Sequence, residues 1–90
     1  MDYEFRWNAW NVEQIAEHGV SPLEAEFIIR RARPPFPEAH GDGKFLAAGH
    51  GPDGRYLQAI YIFSPRDVIF VIHARPLLDA EKRRFRRRSR

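Results

Sequence analysis

Residues 56–75 read Y-L-Q-A-I-Y-I-F-S-P-R-D-V-I-F-V-I-H-A-R, and their pattern decides the fold. Two runs rich in β-branched and aromatic residues, 56–63 and 68–75, flank the turn-forming Ser64-Pro65-Arg66-Asp67, which is the signature of a β-hairpin. Strand alternation predicts His73 and Arg75 on one face with Val71 and Ile69. A general acid/base and a fixed cation are thereby expected to emerge from a sheet.

Working outward, 44–50 (K-F-L-A-A-G-H) reads as a weaker strand, and Gly51-Pro52-Asp53-Gly54 as the turn after it. This gives a three-stranded antiparallel meander, 44–50, 55–63 and 68–75. Tyr3, Phe5 and Trp7 alternate with polar residues, so 3–7 is expected to join the sheet as a short edge strand. Asn8 then caps a short helix with Trp10, Val12, Ile15 and Ala16 on its apolar face, ending at His18-Gly19. Ser21-Pro22-Leu23-Glu24 combines a capping box with proline at the first helical position, and opens a second helix with Leu23, Phe27, Ile28 and Ala32 as its apolar side. Arg30, Arg31 and Arg33 cluster at its C-terminal end, where the helix dipole favours cations. Pro34-Pro35 stops it, and 34–43 reads as a loop. Pro76 closes the last strand and Asp79 caps a final helix over about 80–88. The order predicts an α+β fold, a small antiparallel sheet packed with two N-terminal helices and a C-terminal basic helix, with the helices mainly on one face.

Ninety residues form one domain, 1–90, and bury roughly two-thirds of the unfolded surface. The chain has no cysteine, so neither a disulfide frame nor a thiolate metal site is available. The four histidines, at 18, 40, 50 and 73, have no paired spacing, and neither glycine-rich stretch matches a phosphate loop. No metal, cofactor or nucleotide is expected. No apolar stretch approaches the ~20 residues of a membrane span and no secretory leader is recognisable, so the expected location is cytoplasmic and no membrane partner is expected. The net charge of +3 is unevenly spread, because 82–90 (K-R-R-F-R-R-R-S-R) holds seven of fifteen basic residues and no acid. The rest of the chain carries eight bases against twelve acids, a net of −4. Such a tail suits a polyanion, nucleic acid or an acidic protein; the plainer reading is a solvated helix end.

Cleaving RNA without a metal needs a base for the ribose 2′-hydroxyl, an acid for the leaving oxygen, and cations for the charge that builds on phosphate. His73 titrates in the right range, and Arg75 grips phosphate with a planar fork. Arg55, Lys44 and His50, near strand ends around the preceding turn, are expected to add charge, and Tyr61 to orient phosphate or stack on a base. Lys82, Arg83 and Arg86 of the final helix are candidate RNA contacts. Each residue has a structural alternative: His73 as a partly buried strand end, Arg75 as the partner of Glu81, His18 as a helix end, His40 as a loop residue, Trp7 and Trp10 as packing aromatics.

The combined pattern resembles the BrnT family of type II toxins. It is carried by F-R-W-N at 5–8, H-G-V-S at 18–21 followed by L-E-A-E at 23–26, G-R-Y-L-Q-A-I-Y at 54–61, V-I-H-A-R at 71–75 and E-K-R-R-F at 81–85. The resemblance implies a RelE-like fold, metal-independent endoribonuclease activity that cleaves RNA to inhibit translation and growth, and neutralisation by an antitoxin of ribbon-helix-helix type. It places Arg75 on the basic residue closing the last strand motif and Arg55 on the one opening the preceding strand. The chain departs from the family pattern at Asn8, usually an acid, at Trp10 and Asn11, in a region usually Lys- and Ala-rich, at His73, commonly Ser, and at Phe85, often Tyr. The alternative is a non-catalytic nucleic-acid-binding or protein-interaction module of the same fold.

Overall fold

The predicted hairpin forms one side of a four-stranded sheet. A computed structural model describes residues 3–88. It contains α1 (Ala9–Ala16), α2 (Pro22–Arg30), β1 (Glu38–Ala39), β2 (Lys44–His50), β3 (Tyr56–Ser64), β4 (Val68–Pro76) and α3 (Asp79–Arg88). The strands form one antiparallel sheet in the order β1-β2-β3-β4, which makes the fold α+β. No described helix is long and apolar enough to cross a membrane.

Both N-terminal helices begin where side chains satisfy the free amides. Asn8 Oδ1 accepts from the Asn11 N–H at 3.1 Å while Asn11 Oδ1 accepts from the Asn8 N–H at 2.8 Å. Ser21 and Glu24 make the same reciprocal pair at α2, at 3.2 and 3.0 Å. At α3 the equivalent carboxylate is Glu81, whose Oε1 accepts from the Leu78 N–H at 2.8 Å, so Asp79 lies inside the first turn instead of capping it. Ile15, Ile28 and Ile29 then pack on Leu57, Ala59, Tyr61, Ile69, Val71 and Ala74 to form the core. Burying each such aliphatic side chain contributes about 1.5–3 kcal/mol.

Three expectations about the strands change. The segment 34–43 is not wholly a loop, because Glu38 and Ala39 pair with Leu46 and Phe45. The N-terminal strand reduces to a single parallel bridge between Phe5 and Ile69, held by the Arg6 N–H to the Ile69 carbonyl at 2.9 Å and the Ile69 N–H to the Glu4 carbonyl at 2.8 Å. The third is the face that carries His73. A register shift lets Tyr61 face Val71 while Ile60 faces His73, so one residue of β4 is extra. Ile69 and Val71 before the bulge and Ala74 after it are all 0% exposed. His73 and Arg75 therefore lie on the face opposite Val71 and Ile69, across from Ile60 and Gln58.

That second face is where α3 lies. Phe85 stacks on Phe36 at 5.8 Å between ring centroids and meets Tyr56 edge-on at 5.7 Å, and Tyr56 alternates with the core-facing Leu57. The helices thus divide, α2 on the core face and α3 on the other, while α1 packs at the β4 edge, with Ile15 in the core and Trp10 stacked on Phe70 at 6.0 Å between ring centroids.

Candidate nucleic-acid interface

The backbone of β2 builds the site. The Lys44 N–H donates to the Gly41 carbonyl and the Lys44 carbonyl accepts from the His40 N–H, so Lys44 bonds on the β1 side. The Gly51 N–H donates to the Arg55 carbonyl at 2.7 Å, on the β3 side. Antiparallel alternation then turns the backbone groups of Ala48 and His50 toward the β1 side. Yet β1 reaches only as far as Leu46, Pro35 and Pro37 have no N–H to offer, and the Phe36 N–H is taken by the Arg33 carbonyl at 2.8 Å. Beyond Leu46, where the pairing of β1 with β2 ends, β2 lines a cleft.

This cleft has a volume of about 590 Å³. Phe27, Arg31 and Arg33 form its α2 side, the Gly49-His50-Gly51-Pro52-Gly54 region its floor, and Phe85 its α3 side. Among the described residues lining it none is acidic. Arg31 stacks over Phe27 with its guanidinium carbon 4.3 Å from the ring centroid, and neither Arg31 nor Arg33 is ion-paired to a described carboxylate. His50 meets Tyr56 edge-on at 4.3 Å, and Arg86 sits 5.5 Å above the Tyr56 ring. Cations, aromatic faces and an imidazole converge here.

The expected site residues distribute differently from the sequence pattern. His50 lines the cleft and Arg86 stands beside it, with Lys82 and Arg83 on the same helix; of the basic tail, residues 89 and 90 lie outside the described residues. Lys44 sits at the other end of β2, six residues from His50 and so roughly 20 Å away, too far to share a phosphate with it. Tyr61 is 2% exposed in the core beside Phe45 and Phe63, and burial pushes its phenol up; it has no surface to offer RNA.

The two expected catalytic arginines are both occupied. Arg55 donates to Glu24 Oε2 at 2.6 Å and to the Gly19 carbonyl at 2.9 Å, with Asp53 at 3.3 Å, tying the β2–β3 turn to the start of α2. Burial alone would raise the Glu24 carboxyl, but hydrogen bonds from Arg55 and Ser21 hold it below the usual range. Arg75 grips Glu81 with both fork nitrogens at 2.8 Å, realising the alternative reading of that residue. His73 stands 5.0 Å from His18 between ring centroids, and burial, then His18 and Arg75, lower its pKa, favouring the neutral ring.

Glu81 supplies a test of this geometry. Hydrogen bonds from Arg75, then from the Leu78 N–H, bring its carboxyl from an ordinary 4.5 down to about 2. The folded value is the lower one, so the stabilisation is complete above the unfolded pKa and is lost as pH falls through about 2. The urea midpoint of the wild type is expected to drop between pH 4.5 and 2, and that of Glu81→Gln to change less over the same range. Superimposable profiles would assign the acid sensitivity to other groups.

Arg31, Arg33 and Phe27 were not singled out as functional by the sequence. Their signal, three arginines at the end of a helix, has an adequate explanation in the helix dipole, and only the third dimension brings them to His50. Comparison of the chain with protein-family models, with curated proteins and with solved structures finds no match. The resemblance to BrnT toxins rests on the quoted motifs.

Proposed function

We propose that this chain is a toxin-type endoribonuclease that binds single-stranded RNA along the cleft lined by β2 beyond Leu46 and cuts it without a metal. The observation that carries this reading is a cleft with no acidic residue among its described lining, in which Arg31 and Arg33, paired to no described carboxylate, stand with an imidazole, His50, and an aromatic side chain, Phe85. In the proposed reaction the 2′-oxygen attacks phosphorus as His50 takes its proton. The bond from phosphorus to the 5′-oxygen breaks, and the Tyr56 phenol beside His50 supplies a proton to that oxygen. The products are a 2′,3′-cyclic phosphate and a 5′-hydroxyl. Arg31 and Arg33 oppose the charge that gathers on phosphate in the transition state. An antitoxin partner, implied by the family resemblance, belongs to the same proposal.

Expression of the chain alone in a bacterial host is expected to arrest growth with fragmented RNA. His50→Ala and Tyr56→Phe are each expected to slow cleavage of an oligoribonucleotide by roughly 10²-fold or more, the usual contribution of a positioned acid or base. His73→Ala is expected to cut as the wild type does. The opposite pattern would move the chemistry to the His18–His73 pair. A second reading, RNA binding without cleavage, is favoured by the carboxylates that occupy both Arg55 and Arg75. Intact RNA in a wild-type complex that binds it would select that reading.

A further inference from the structure

Arg75 holds a carboxylate in the manner in which arginine holds a phosphate. Nη1 and Nη2 each donate to a different oxygen of Glu81, both at 2.8 Å, the planar two-point grip that phosphate also satisfies. Glu81 is part of α3, and every charged residue after it in that helix is a cation. Concentrated like charge of this kind opposes itself until a polyanion arrives.

The position of Arg75 continues the cleft. Ala48, Gln58 and Arg75 are cross-strand neighbours on one face, so they form a row from the cleft floor across the sheet. A smaller hollow of about 110 Å³ follows this row beneath α3, lined in part by Gln58, Glu81 and Arg84. Ala48 and Phe85 line both spaces. Among the described residues, side chains that hold α3 over the row include Glu81 through Arg75, Phe85 through Phe36, His50 and Tyr56, and Arg86 through Tyr56.

We propose that Arg75 is a phosphate subsite continuing the cleft, and that Glu81 is a built-in carboxylate which keeps it occupied until a nucleic-acid phosphate replaces it and α3 swings aside. This rests on the reading of the cleft as an RNA path. The exchange is chemically even-handed, because Arg75 gives up one two-point anion and receives another while the arginines of α3 gain partners along the strand. The latch therefore lowers affinity for a single phosphate group and yields to a ligand that also engages α3.

The experiment measures binding of inorganic pyrophosphate and of a single-stranded oligoribonucleotide to the wild type, Glu81→Gln and the double variant Glu81→Gln/Arg75→Ala. Pyrophosphate is expected to bind Glu81→Gln roughly five-fold more tightly than the wild type, the factor returned when a modest competing ion pair is removed, and the double variant is expected to lose the gain. In the wild type, hydrogen exchange of the α3 amides is expected to quicken when RNA binds. Equal pyrophosphate affinity in all three proteins overturns the proposal, as does slower exchange in α3 on RNA binding, a readout that needs no variant to fold. A pyrophosphate gain without RNA binding by any form keeps the latch and removes the RNA reading of the cleft.

Discussion

Asn11→Leu is expected to lower the unfolding free energy by about 3 kcal/mol, seen as a fall of roughly 12–24 °C in the thermal midpoint of a chain this small. Among the described residues, Asn11 is the buried polar residue of the core, 0% exposed. Its Nδ2 donates to the Arg6 carbonyl at 3.1 Å, and its Oδ1 accepts from the Asn8 N–H at 2.8 Å. Leucine has the same number and branching of side-chain heavy atoms as asparagine and a larger volume, so the loss is not a cavity. It is the stranding of one backbone donor and one acceptor, each costing about 1–3 kcal/mol when water does not fully replace the partner. The same side chain ties the strand-like N-terminus to α1, and the bridge from Phe5 to Ile69 depends on where that segment lies. Asn8→Ala, which removes only the cap, is expected to cost about 1 kcal/mol. Circular dichroism melts of the three proteins decide the matter. A melt of Asn11→Leu that overlays the wild type would mean that its two hydrogen bonds contribute nothing net.

Elements whose causes are local were legible in the sequence. Ser21, Pro22 and Glu24 specify the start of α2 by hydrogen bonds within four residues, and the two runs around Ser64–Asp67 specify the hairpin by composition and a turn. The α+β class follows from the order of these elements. What escaped depends on a partner distant in sequence. The β4 bulge moves His73 and Arg75 away from the face of Val71, and no pattern within the strand announces the extra residue. Glu38–Ala39 becomes a strand because β2 offers an edge, although its neighbours are prolines that read as loop. Tyr61 has the composition of a ligand-facing residue, but its alternation with Ala59 and Leu57 puts it in the core. Arg55 and Arg75 were correctly identified as cations at strand ends, and the carboxylates they hold come from α2 and α3. The candidate site was therefore legible as a set of residue types and illegible as a place.

Reversing the charge of the cleft wall should have the largest effect on RNA. Arg31→Glu/Arg33→Glu is expected to weaken binding of a single-stranded oligoribonucleotide by about a hundredfold, taking roughly tenfold for each lost charged contact. Both arginines are exposed, neither is paired to a described carboxylate, and Arg31 gives up only its stacking on Phe27, so the fold should change little. The salt dependence separates the cleft from the basic tail. Each phosphate contact that is lost should flatten the slope of log affinity against log salt by about 0.7, so the double variant should be shallower by about 1.4. Arg83→Glu/Arg87→Glu, on the exposed side of α3, provides the comparison. If α3 alone anchors RNA, the α3 variant loses most of the affinity and the cleft variant loses little. If the cleft along β2 is the path of the strand, the cleft variant loses the greater share, and cleavage falls with binding because Arg31 and Arg33 serve both.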